Sequence, residues 1–196
     1  MRPFYVSLGP HLHKKQFTCL RAVVALIAAC VVVGCSGNSA PSATTISLDR
    51  LNFQLPASWQ QVPPNSPMRK AQAVIPGPGG DAEMAVFFFG AGQGGDVESN
   101  LQRWLNQIAL EPGRGPQRDT FENRGLRITW VDVSGTLQPG QMGMGPKSPQ
   151  PNSRLLGAVI EGDGGPWFIK ITGPETTLAP QREAFMEMLR SARGAG

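Results

Sequence analysis

Four charged residues lie where a strand pattern would bring them together: Asp132 inside the apolar run Ile128-Thr-Trp-Val-Asp-Val-Ser134, with Glu161, Asp163 and Lys170 on or beside the strands expected next to it. A carboxylate pair at that spacing can do acid/base work, one group donating a proton while the other accepts. Such charges also serve as cross-strand ion pairs or as a solvated sheet face, which is the commoner use. Gly90-Ala-Gly92-Gln-Gly-Gly95 fits the spacing of a phosphate-cradling loop and falls between an expected strand and an expected helix. Against that use, Asp96 and Glu98 put two negative charges at the helix start, where a phosphate would have to sit. Met142-Gly-Met144, with Met68 and Met84 elsewhere, offers thioethers for a soft metal but no imidazole beside them. The calcium-loop pattern of alternating aspartates closed by glycine does not occur. No catalytic, cofactor-binding or metal site is therefore assigned.

One residue does carry an assignment. Cys35 ends the apolar run Ala22–Val33, which follows the basic residues Arg2, Lys14, Lys15 and Arg21. The run is shorter than the roughly 20 residues a spanning helix needs, and this order is that of a secretory signal. Val32-Val33-Gly34-Cys35 resembles the lipobox of bacterial lipoproteins. The resemblance implies cleavage between Gly34 and Cys35, diacylglycerol on the Cys35 thiol, and a second acylation site at the freed amine. Each buried methylene contributes about 0.8 kcal/mol, so two or three chains hold a protein to a bilayer almost permanently. In a host with two membranes, Ser36 lacks the aspartate that resembles an inner-membrane retention signal, and the periplasmic face of the outer membrane is the expected address. The basic segment is long, so the true start is expected downstream of Met1.

Cleavage would change what the composition means. The 18 Lys plus Arg outnumber the 14 Asp plus Glu, yet Arg2, Lys14, Lys15 and Arg21 would all leave with the signal, and the remainder balances. The pI of about 9.3 thus belongs to the signal and gives no support for nucleic-acid binding. Cys19, Cys30, His11 and His13 would leave too. What remains has one cysteine, expected to be acylated, and no imidazole. This excludes internal disulfides, Ser-His-Asp and Cys-His nucleophile systems, and histidine or thiolate metal sites.

Residues 1–34 are accordingly read as signal peptide and 35–44, polar and small, as a flexible tether. Residues 45–193 form a single domain. Strands are expected at Ile46–Leu55, turning at Asp49 and Arg50, then at Arg69–Ile75 and Glu83–Phe89. A helix at Asp96–Ala109, capped by Asp96, buries Val97, Leu101, Trp104, Leu105 and Ile108. Two hairpins follow, one turning at Asn123-Arg-Gly125 and one at Gly162-Asp-Gly-Gly165, separated by a loop at Pro139–Ser153. The closing helix, Ala179–Arg193, buries Phe185, Met188, Leu189 and Ala192. Trp59, Trp104, Trp130 and Trp167 are expected in the core.

This order calls for one mostly antiparallel sheet with helices packed on it. Together with Leu51-Asn-Phe-Gln-Leu-Pro-Ala-Ser-Trp59, Gly94-Gly-Asp-Val97 and Trp167-Phe-Ile-Lys-Ile-Thr-Gly-Pro174, it resembles the PsbP-like (Mog-type) α/β/α sandwich. Members of that fold are accessory, binding and adaptor proteins. The resemblance implies no catalytic residue. The expectation is a non-catalytic, lipid-anchored binding or assembly-support module of the bacterial envelope, with a membrane contact through the acyl group, a protein partner, no nucleic acid and no cofactor. Two alternatives are a small carboxylate-based envelope enzyme, marked by a second carboxylate beside Asp132, and a carrier of an apolar ligand, marked by a deep, dry pocket.

Overall fold

A computed structural model describes residues 42–140 and 146–195, which lie within the compact unit Ser39–Gly196. Cys35, the lipobox, most of the tether, and Met142 with Met144 fall outside the described residues.

Thr44–Leu48 (β1) and Leu51–Leu55 (β2) form a hairpin across Asp49 and Arg50, as the alternation predicts. Arg193–Gly194 (β11) adds a short third strand beside β2. This small sheet is separate from the main one, so the expectation of one sheet is replaced by two. The larger sheet runs Gln60–Val62 (β3), Arg69–Ile75 (β4), Ala82–Phe88 (β5), Trp167–Pro174 (β10), Gln150–Glu161 (β9), Leu126–Leu137 (β8) in spatial order. The free edge of β8 is shared end to end by Gln117–Asn123 (β7) and Ile108–Leu110 (β6). Every pairing is antiparallel.

Strand alternation sends successive side chains to opposite faces, and both faces here are apolar over much of their width. Ile169 and Ile171 of β10, Met84 and Val86 of β5, and Ile128 and Trp130 of β8 share one core with β1, β2 and the helix Arg182–Ser191 (α3). Phe168, Val159, Val131 and Val133 share the other with Leu101 and Trp104 of Val97–Leu105 (α1). All four tryptophans are buried. Phe88, expected on a fully covered strand, is half-buried and stacks on Trp167 at 4.3 Å between ring centres.

Helix α1 ends four residues before the predicted Ala109. Ile108 continues the apolar spacing of Leu101 and Trp104, but its backbone pairs with Leu137 as part of β6, and a strand buries it as well as a helix would. The closing helix is divided. Glu175–Leu178 (α2) and a single 3₁₀ turn at Ala179–Gln181 precede α3, and the break falls around Pro180, which has no N–H to donate. The predicted 139–153 loop is shorter than expected, because β9 already begins at Gln150.

Candidate functional site

Asp132 and Lys170 lie on opposite faces of the sheet, so the four charged residues of the sequence reading do not assemble. Asp132 shares its face with Trp130 and is buried. Its carboxylate accepts from Arg154 of the neighbouring strand through Nε at 2.8 Å and Nη2 at 2.6 Å, and from Arg182 Nε at 3.2 Å. Arg182 also lies over the Trp130 ring, 5.2 Å from its centre. Two guanidinia, rather than a second carboxylate, meet Asp132. A carboxylate so held is a structural ion pair, costly to break and poorly placed to exchange protons with a substrate. Glu161 lies opposite Arg127 at the far end of β9, 3.9 Å away, and Asp163 is in the exposed turn that follows.

The glycine-rich segment does not present an anion site at the start of α1. Asp96 caps the helix itself, accepting from the Ser99 N–H at 2.9 Å and the Ser99 hydroxyl at 2.6 Å. These two bonds, the side-chain one foremost, hold its carboxyl below the ordinary carboxylate range. Glu98 is paired with Arg118 at 2.8 and 3.0 Å, chiefly by a hydrogen bond that lowers its own carboxyl as well. The loop is also anchored at its end. Buried Asn100 donates to the carbonyls of Gly94 and Asp96 at 2.7 and 2.9 Å. At Gly94 a side chain would meet Phe168 and Phe89 within 3 Å, and φ is +86°, so only glycine suits the position.

The second sheet face is covered unevenly. Trp104 of α1 sits directly on Gly157 of β9, and α1 packs over β8 and β9. Over β10, β5 and β4 the described residues leave the face open, as a groove of about 1480 Å³ walled on one side by α1. Lys170 lies on its floor, in register with Gly157 on one side and Ala85 on the other. It is half-buried, and its ammonium donates to Gln107 Oε1. Arg103 enters from α1, where its guanidinium bonds Asn100 Oδ1, and Arg69 enters from β4. Glu83 is the facing carboxylate; it accepts from Gln72 at 3.0 Å and lies 2.8 Å from Arg69 Nη1. That Arg69 nitrogen is buried without a directed hydrogen bond, so the contact with Glu83 is ionic only.

Burial, then Arg103 and Arg69, push the Lys170 ammonium down from 10.5 to about 8, with Glu83 acting the other way. The floor therefore carries more positive charge than the protein neutralises. Beside it the lining turns apolar, with Phe87, Phe89, Phe168 and Met68. Met68 and Phe89 are two of the three large apolar side chains exposed among the described residues, the third being Leu110.

Lys170 was visible in the sequence as a cation on an apolar strand, but it was assigned the wrong neighbours. Arg69 entered that reading only as the start of an expected strand, and Arg103 not at all. Their convergence depends on β4 and α1 meeting beside β10, and no local pattern records that.

No family model matches the chain, and no curated protein matches it either. Among solved structures it is similar to the solution structure of cyanobacterial PsbP (CyanoP) from Synechocystis sp. PCC 6803. That match has 12% identity and a TM-score of 0.50, covering 84% of this chain and 99% of that one. It is also similar to a protein of unknown function, PA94, from Pseudomonas aeruginosa, with 14% identity, 76% and 95% covered, and a TM-score of 0.41. A chain from Bacteroides thetaiotaomicron VPI-5482 has 11% identity, 74% and 45% covered, and a TM-score of 0.40. The first likeness carries a PsbP-like fold and, at 12% identity, nothing further.

Proposed function

We propose that this chain is a non-catalytic binding module of the bacterial envelope, tethered through acylated Cys35 and receiving its partner in the groove floored by Lys170. The observation that carries this reading is the positive charge left in an open, partly apolar groove, where Lys170, Arg103 and Arg69 face the carboxylate of Glu83, itself paired with Arg69. A fold has no need of a half-buried ammonium between two guanidinia, and such perturbed groups gather where something is bound. The enzyme alternative is weakened by the ion pairs that hold Asp132, and the carrier alternative by the openness and polar wall of the groove. The three-layer reading of the fold belongs to the same proposal. Its support is a main sheet apolar on both faces, with α1 in one core and α3 plus the small sheet in the other.

Photo-cross-linking in intact cells tests it. Benzoylphenylalanine replacing exposed Gln102 on the groove wall is expected to give a discrete adduct that is lost in Lys170→Met. The same residue replacing Glu187, exposed on α3, should give none. Equal labelling at both positions, or adducts at Gln102 that survive loss of the Lys170 charge, would remove the groove from the function.

A further inference from the structure

We infer that the groove takes an acidic peptide segment of a partner protein, in which a carboxylate is flanked by an apolar or aromatic residue. This rests on the binding-module reading and specifies what is bound.

The first argument is charge. Lys170 brings three ammonium donors to the floor, and Gln107 accepts from one of them. Arg103 stands on the wall, while Glu83 is already engaged by Arg69 and Gln72. An incoming carboxylate would supply the missing counter-charge where burial makes it most effective. The second is the apolar end. Phe87 and Phe168 sit one strand apart in register, and Phe89 packs on Phe168 with ring centres 5.7 Å apart. Exposed Met68 adjoins this surface. A side chain next to the carboxylate could settle there, and aromatic and thioether surfaces suit that role.

The third argument separates a peptide from a lipid. Much of the rest of the lining carries side-chain amides, at Asn65, Gln102, Asn106, Gln107 and Gln138, and its second carboxylate, Glu98, is already paired with Arg118. Side-chain amides both donate and accept, which matches the alternating N–H and C=O groups of a peptide backbone. An acyl chain would strip water from those amides and return no hydrogen bond. A volume of about 1480 Å³ also exceeds the roughly 300–1,000 Å³ of small-molecule pockets and leaves room for several residues.

The test uses the full chain purified in a non-ionic detergent and two fluorescein-labelled peptides, acetyl-Ala-Phe-Glu-Glu-Phe-Ala-amide and its Gln-Gln counterpart, read by fluorescence polarisation. The acidic peptide should bind at least tenfold more tightly than the Gln peptide. That preference should fall as salt is raised and vanish in Lys170→Met, whose folding is checked by a cooperative thermal transition. The salt dependence and the Glu-against-Gln ratio are read on the unmutated protein, so they hold even if the variant folds poorly. Equal binding of the two peptides, or no binding of either, would overturn the peptide assignment. Dihexanoylphosphatidylglycerol, soluble and anionic, is the second arm. If it alone binds in a Lys170-dependent way, the peptide class is wrong while the groove stays a binding site; if neither arm nor the cellular cross-link responds, the module reading falls too.

Discussion

At the scale of the residue, Lys170 decides how this molecule is read. Its ammonium is charged at neutral pH only against burial and two guanidinia, with Glu83 as partial relief. Because the folded-state value is lowered from 10.5 to about 8, the unfolded chain holds this proton more tightly, and the folded state is penalised. That penalty is fully present below pH 8 and is relieved as the pH rises from 8 towards 10.5. Its size is at most about 3 kcal/mol, given 1.36 kcal/mol per unit. Lys170→Met is therefore expected to be more stable than the unmutated protein at pH 7, and the gap should close by pH 10.5. Denaturant unfolding of both proteins across that range checks this; a gap that is absent, or that does not change with pH, would place Lys170 in ordinary solvent. Asp132 shows the opposite case. It looked the more chemical of the two in the sequence, yet Arg154 and Arg182 make it a part of the framework.

At the scale of the element, α1 makes the groove by covering only half of a sheet face. Its seat is Gly157: a Cβ there would lie 2.6 Å from the Trp104 ring, and Val131 closes the other side at 3.2 Å. Gly157→Ala should therefore cost about 1–3 kcal/mol through overpacking and lift α1 away from β9. Since Arg103 and Gln107 ride on α1 and its C-terminal turn, the variant should also lose Lys170-dependent binding. Unfolding and polarisation measured on one preparation would show both losses, and an unchanged stability would mean that Trp104 does not seat there. The sequence carried α1 well at its start, because Asp96 caps it by a local hydrogen bond, and poorly at its end. Ile108 satisfies helical spacing and strand burial equally, and only its pairing with Leu137 decides between them. The strands β3, β6 and β11 were missed for a related reason. Each is two or three residues long, too short to show an alternation of its own, and β6 and β11 are held by neighbours distant in sequence, while β3 pairs with the strand that follows it. The hairpins at Asp49–Arg50 and Asn123–Gly125 were legible because turn and strands lie side by side in the chain.

At the scale of the whole molecule, the attachment proposed at Cys35 can be set against the other ways of holding a protein to a membrane. Among the described residues no helix is long and apolar enough to cross one. After Cys35 the basic and acidic residues balance, so attraction to an anionic surface supplies no net hold. Membrane residence is therefore predicted to rest on the acylation proposed at Cys35, and to respond to agents in the manner of a lipid anchor. High salt, which screens surface charge within a few ångströms, is expected to leave the protein on the membrane, whereas detergent should release it. Cys35→Ser removes the thiol that the lipid needs, so that variant is expected either to accumulate with its signal uncut or to appear in the soluble fraction. Fractionation followed by mass spectrometry of the mature N-terminus distinguishes these outcomes. A cysteine found unmodified on a membrane-bound chain, or release of the unmutated protein by salt alone, would remove the anchor and leave the groove as a binding site whose address must be sought elsewhere.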